Sequence, residues 1–91
     1  MSDRAGHPLA TPGLHLQPGP GGAHIAGPDG SVHYLNQTAA AVWLHADGSR
    51  DLAALAGALA PEFGLAEPPL ADVERAIALL RDRGLVQPPG G

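Results

Sequence analysis

Cysteine is absent from this 91-residue sequence, and so is lysine. The first absence removes disulfides and thiolate metal sites from consideration. The second leaves five cationic side chains, all arginine, against nine carboxylates, for a formal net charge of −4. A phosphate backbone is bound through clustered cations that release counterions, and that footprint is missing. Long apolar runs are lacking too. The longest, residues 39–44, falls far short of the ~18 residues that identify a membrane span. The opening MSDRAGHPLA has no cationic region followed by an apolar one. No secretion signal is therefore expected, and a soluble, cytoplasmic protein is the plain reading. Aromatic side chains are reduced to Tyr34, Trp43 and Phe63, so few large groups are on hand to build a core.

What the chain does have in quantity is glycine and proline, 13 and 10 of them. Spread evenly, that level would mark disorder, but they gather in the first thirty residues and the last four. The expected organisation is a flexible tail over residues 1–13, one domain over 14–86 and a disordered end over 87–91. A domain of ~70 residues folds alone but buries a modest share of its surface.

Residues 14–17 alternate apolar and polar and predict a first strand, with PGPGG (18–22) as a loop. Residues 23–27 predict a second strand, and Gly27-Pro28-Asp29-Gly30 is a strong turn signal into a third, Val32 to Leu35. Asn36 then offers a side-chain oxygen to cap a helix running through the Ala-rich stretch to Trp43, with Ala40, Trp43 and Leu44 on one face. Asp51 or Ser49 caps a second helix, whose Leu52, Leu55, Ala56, Leu59 and Phe63 recur at helical spacing and which Pro61 kinks or ends. A third helix runs over residues 69–83 with Val73, Ile77 and Leu80 as its buried stripe and Gly84 at its end. Three strands and then three helices describe an α+β domain, winged-helix-like, with an N-terminal three-stranded antiparallel sheet.

Catalytic and metal chemistry find little support. His15, His24 and His33 fall on three different predicted strands, with His24 and His33 opposite each other if the hairpin turns at Pro28–Asp29. None shows the paired spacing of a zinc site, and exposed positions on alternating strands account for them. Ser2, Ser31 and Ser49 sit in the tail or in turns without a Gly-x-Ser-x-Gly elbow. Asp72 and Glu74 are two apart on a helix and face different ways. The PGPGG loop leads into a strand with no following Lys-Ser or Lys-Thr, so it is no phosphate cradle. No catalytic residue, metal or cofactor is expected. Trp43 and Phe63 lie on core-facing stripes and are read as packing, worth about 2–3 kcal/mol each.

Two features point to binding instead. With Val73, Ile77 and Leu80 buried, a rotation of 100° per residue gathers Asp72, Ala76, Leu79 and Arg83 on one flank of the last helix. There Leu79 stands where a polar residue would be expected. The strand from Val32 to Leu35, if it lies at a sheet edge, is a template for another strand, with Val32 and Tyr34 on one face and His33 on the other.

The ordered series LNQTAAAVW, DGSRDLAALAGALAPEFG and DVERAIALLRDRGLV resembles the PqqD-like family. These are small peptide chaperones, also called RiPP recognition elements. The resemblance covers roughly residues 14–86. It implies the same α+β architecture and a non-catalytic role: binding the leader of a ribosomally made precursor peptide as an added strand between the third strand and the third helix. It also implies delivery of that peptide to a modifying enzyme, in this family often a radical S-adenosylmethionine protein. The contacts it implies are Val32, His33 and Tyr34 on the strand, and Asp72, Ala76, Ile77, Leu79, Leu80 and Arg83 on the helix. Asp72 and Arg83 would pair with charges on the leader, and Ile77 and Leu80 would floor the groove. Two departures stand out. Ala76 is small where the family commonly has a bulkier, often aromatic, residue, which implies a wider pocket. Asp51 replaces the Thr usual after the Asp-Gly turn, keeping the cap. Two other readings remain at this level. One is a docking or regulatory subunit without free-peptide binding, and the other a winged-helix DNA-binding protein, disfavoured by the charge. An exposed edge strand also allows pairing with a second copy.

Overall fold

The structure is a computed structural model that describes residues 7–27 and 29–87. Expectations for residues 1–6, Pro28 and 88–91 fall outside the described residues. In chain order the elements are β1 (Leu16–Gly19), β2 (Gly22–Ala26), β3 (Val32–Asn36), α1 (Gln37–His45), α2 (Leu52–Glu62) and α3 (Leu70–Asp82). The fold class is α+β, as the order of patterns along the chain predicts.

The sheet is an antiparallel meander in the order β1-β2-β3. Its first strand is displaced from the expected one. PGPGG is not a loop: Pro18 and Gly19 end β1, Gly22 begins β2, and Gly19 pairs with Gly22. Only Pro20 and Gly21 turn the chain. Proline presets the first turn position, and Gly21, with φ 74°, supplies the positive φ of the second. Gly22 must be glycine for another reason, since a Cβ there would lie 1.9 Å from the Leu35 carbonyl oxygen. The second hairpin closes with Gly30 N–H donating to Gly27 O and Gly27 N–H to Ser31 O. Gly30 has φ 89°, the geometry of a turn followed by a one-residue bulge.

Each helix stops and starts where side chains or glycine allow it. Asn36 Oδ1 accepts from Ala39 N–H at 2.8 Å and Asp51 Oδ1 from Ala54 N–H at 2.8 Å. Of the two cap candidates for α2, Asp51 is the cap, while Ser49 bonds to Asp47. Pro61 lies in the last turn of α2 rather than beyond it. The helices α2 and α3 end alike. After α2, Gly64 N–H donates to Pro61 O and Leu65 N–H to Ala60 O. After α3, Gly84 N–H donates to Arg81 O and Leu85 N–H to Leu80 O. Both are Schellman closures with a glycine of positive φ.

The core gathers Ala23, Ile25 and Leu35 from the sheet, Ala39, Ala40 and Val42 from α1, and Leu55, Ala56 and Leu59 from α2. From the C-terminal part come Val73, Ala76, Ile77, Leu80, Leu85 and Val86. The helix α1 lies at the centre, packed on β2, β3, α2 and α3. Its buried face differs from the expected one. Ala39 and Val42 are buried while Leu44 is 62% exposed. The two buried residues pull the core direction away from Leu44, one residue and 100° past Trp43. Trp43 itself is half-buried against the core and donates its indole N–H to Leu85 O at 2.8 Å. Phe63 likewise packs against the core.

Part of the N-terminal stretch, residues 8–11, is bonded to the rest of the fold. Residues 8–11 run between the α1–α2 connection and the chain after α3. Ala10 N–H donates to Ala46 O, Gly48 N–H to Pro8 O, Thr11 N–H to Leu85 O and Gln87 N–H to Leu9 O. The Thr11 hydroxyl adds a bond to Gly84 O at 2.7 Å. The attachment is almost wholly main-chain, so no side-chain pattern announces it.

Two outcomes follow for stability. Trp43→Phe removes one half-buried hydrogen bond and should cost about 1 kcal/mol in chemical denaturation, whereas Leu44→Ser should stay within about 0.5 kcal/mol. The Asp47 carboxylate accepts from the Ser49 hydroxyl and N–H, which hold its pKa below the usual carboxylate range. A carboxyl depressed on folding stabilises the fold fully above its unfolded pKa, and that share is lost as pH falls through the folded value. Asp47→Asn should therefore flatten the acid limb of a stability–pH curve without changing its neutral-pH slope.

Candidate functional site

β3 passes into α1 through one residue, Asn36, which is both the last of the strand and the cap of the helix. That junction brings a strand edge and a helix start to the same place. Opposite it stands α3, along its flank from Asp72 to Leu79. Between them lies a cavity of about 340 Å³ lined by Asn36, Thr38, Ala39, Asp72, Arg75, Ala76 and Leu79. Its lining is apolar at Ala39, Ala76 and Leu79, and carries an ion pair between Asp72 and Arg75. Both partners of that pair are well exposed.

β3 is an outer strand of the sheet. Gly27 N–H donates to Ser31 O, and alternation along the ladder then makes Ile25–His33 and Ala23–Leu35 the hydrogen-bonded pairs of β2 and β3. The N–H and C=O groups of Val32 and Tyr34 consequently aim away from β2. Among the described residues no strand meets them. Side chains alternate as well. His33 and the buried Leu35 share the face toward the helices, and Val32 and Tyr34, 50% and 76% exposed, stand on the other.

The residues singled out from the sequence fall into three groups. Asp72, Ala76 and Leu79 line the cavity. Val32, His33 and Tyr34 form the edge strand that runs to it. Ile77 and Leu80 are core residues, 3% and 0% exposed, and do not line it. Nor does Arg83, which caps the far end of α3, about 16 Å along the helix from Asp72. Ala76 is at once core and cavity wall, with 7% of its surface exposed.

Arg75, Asn36, Thr38 and Ala39 line the cavity without having been singled out. The Arg75 position was readable, three residues past Asp72 and four before Leu79 on the same flank. The three from the β3–α1 junction were not, because they depend on how α1 meets α3.

The histidines do not converge. His24 faces Tyr34 across the sheet, with ring centroids 6.0 Å apart, and His33 faces Ile25. His24 and His33 are therefore not opposite each other, because the hairpin turn is one register step from the expected one. The His33 ring lies against Gly27, where a Cβ would come within 2.9 Å of Nε2. No group of three or more His, Asp or Glu side chains among the described residues could hold a metal ion. Among those residues no helix is long and apolar enough to cross a membrane.

The family model described as Coenzyme PQQ synthesis protein D (PqqD) matches residues 20–86. The chain belongs to the PqqD family. The matched span takes in β2, β3, all three helices and the return of Leu85 and Val86 to the core. Every residue lining the cavity lies inside it. PqqD membership suggests a peptide-binding partner of a biosynthetic enzyme. No curated protein and no solved structure matches the chain.

The cavity wall is a clean target for substitution. Exposed ion pairs contribute about 0–1 kcal/mol, so Arg75→Gln should lower the melting temperature by no more than about 4–8 °C, as read by circular dichroism.

Proposed function

We propose that this chain is a non-catalytic peptide chaperone. It captures the leader segment of a ribosomally made precursor as a fourth strand on β3 and presents it to a modifying enzyme. The observation that carries this reading is the free main-chain edge at Val32 and Tyr34, running beside a cavity walled by α3, in a member of the PqqD family. Strand addition draws affinity from main-chain bonds and selectivity from alternate side-chain pockets.

The geometry gives the pattern such a peptide must satisfy. Peptide residues opposite Val32 and Tyr34 exchange main-chain bonds with them, and their side chains share the exposed face with Tyr34. Residues opposite His33 and Leu35 turn their side chains toward the helices and the cavity. There Ala39, Ala76 and Leu79 offer apolar contact, while Asp72 and Arg75 meet charge at the rim. A net ~1 kcal/mol per main-chain bond, with one or two filled pockets, reaches the ~8 kcal/mol of micromolar binding. Ile77 and Leu80 support the α3 wall from the core side. Arg83 would meet only a peptide long enough to pass the cavity. Partner enzymes of the radical S-adenosylmethionine class fit this reading, as other tailoring enzymes do.

The experiment is an amide NMR titration with leader segments of precursor peptides encoded nearby. Shifts concentrated at residues 31–36 and 72–79 are expected. Leu79→Asp should weaken binding about tenfold or more with a nearly unchanged melting temperature, since the side chain is partly exposed and off the core stripe. Shifts only on adding a neighbouring enzyme, and none with any peptide, would overturn leader capture in favour of a docking subunit.

A further inference from the structure

A three-stranded meander has two outer edges, and among the described residues no further strand meets β1 or β3. Three of its four residues are exposed. An uncovered edge invites pairing with any extended chain unless something blunts it. The two edges differ in one atom group.

Pro18 pairs with Ala23, between the Gly19–Gly22 and Gln17–His24 pairs. A proline has no N–H to give, so Pro18 cannot belong to a hydrogen-bonded pair, and the flanking residues carry the bonds to β2. Its nitrogen therefore faces outward, where a newcomer's carbonyl would look for a donor and meet a ring instead. On β3 the equivalent outward positions are Val32 and Tyr34, and both carry an N–H. β3 contains no proline, and β-branched and aromatic side chains flank its free groups.

We infer that Pro18 closes the β1 edge, so that an added strand has one place to go and each chain takes up one extended peptide. The inference rests on the strand-addition reading for its peptide arm. Its second arm, self-association, needs no peptide at all. With β1 closed, copies of the chain cannot zip β1 to β3 into an open filament, the outcome that two compatible edges on one small sheet would otherwise permit.

The test restores the missing donor. Pro18→Val and Pro18→Thr each place an N–H at the outward position with a good strand former. Both should fold with the parent's circular dichroism spectrum. In sedimentation velocity the parent should stay at one size with rising concentration, while both variants shift to larger species. Calorimetry with a leader segment should show a second, weaker uptake beside the first, whose affinity is unchanged, because the restored β1 edge offers main-chain bonds without the cavity. Variants that remain the parent's size and bind a single peptide would overturn the assignment. So would loss of fold in both variants, since a proline that only closes an edge can be replaced by any strand former. A parent that binds no peptide would count against the chaperone reading alone, and the sedimentation shift would still decide the role of Pro18.

Discussion

The Leu85 carbonyl oxygen is the point at which the parts of this small domain are tied to one another. It accepts the Trp43 indole N–H from α1 and the Thr11 N–H from the N-terminal segment, so three stretches far apart in sequence meet at one atom. The Schellman closure at Gly84 is what puts it there, by turning the chain back after α3 so that Leu85 and Val86 enter the core. Fixed there, α1 and α3 are pinned at their C-terminal ends. The start of α1 and the flank of α3 from Asp72 to Leu79 are left to face each other across the cavity. With so few large side chains available, a main-chain oxygen shared by two donors supplies a definition that packing alone would not.

The same economy governs the sheet. One face packs on the helices, and among the described residues no further strand meets either edge. Pro18 on one edge and an unblocked Val32–Tyr34 pair on the other make the sheet directional. The cavity lies beside the open edge, where the strand becomes the helix. Asn36 therefore has two linked duties: its side chain holds the first turn of α1, and its position sets where the edge strand ends against α3.

How much of this was legible beforehand depends on whether side chains or main chain carry the message. The helices were readable, because Asn36, Asp51 and Gly84 are side-chain or glycine signals at fixed offsets, and α3 has a clean apolar stripe. The flank holding Asp72, Ala76 and Leu79 came from that stripe by rotation alone. The displacement of β1 was not readable from PGPGG, since a Pro-Gly turn consumes two residues where composition suggests five. The buried face of α1 was misjudged because a run of alanines carries little direction, and Leu44 looks apolar wherever it points. The docking of residues 8–11 had no signal, being made of main-chain bonds. The remaining cavity walls arise where separate elements meet, and a single stretch of sequence does not encode a meeting.

That docked N-terminal segment also bears on how the chain is made. Thr11 bonds across 73 positions to Gly84, and Leu9 O waits for Gln87 N–H. Contacts between such distant positions pay their loop-closure entropy late and slow folding. During synthesis the sheet and α1 can form early, but the clasp cannot close until residue 87 has left the ribosome. Until then the β3 edge and the unfinished core are exposed together, and a neighbouring nascent chain meets both at once.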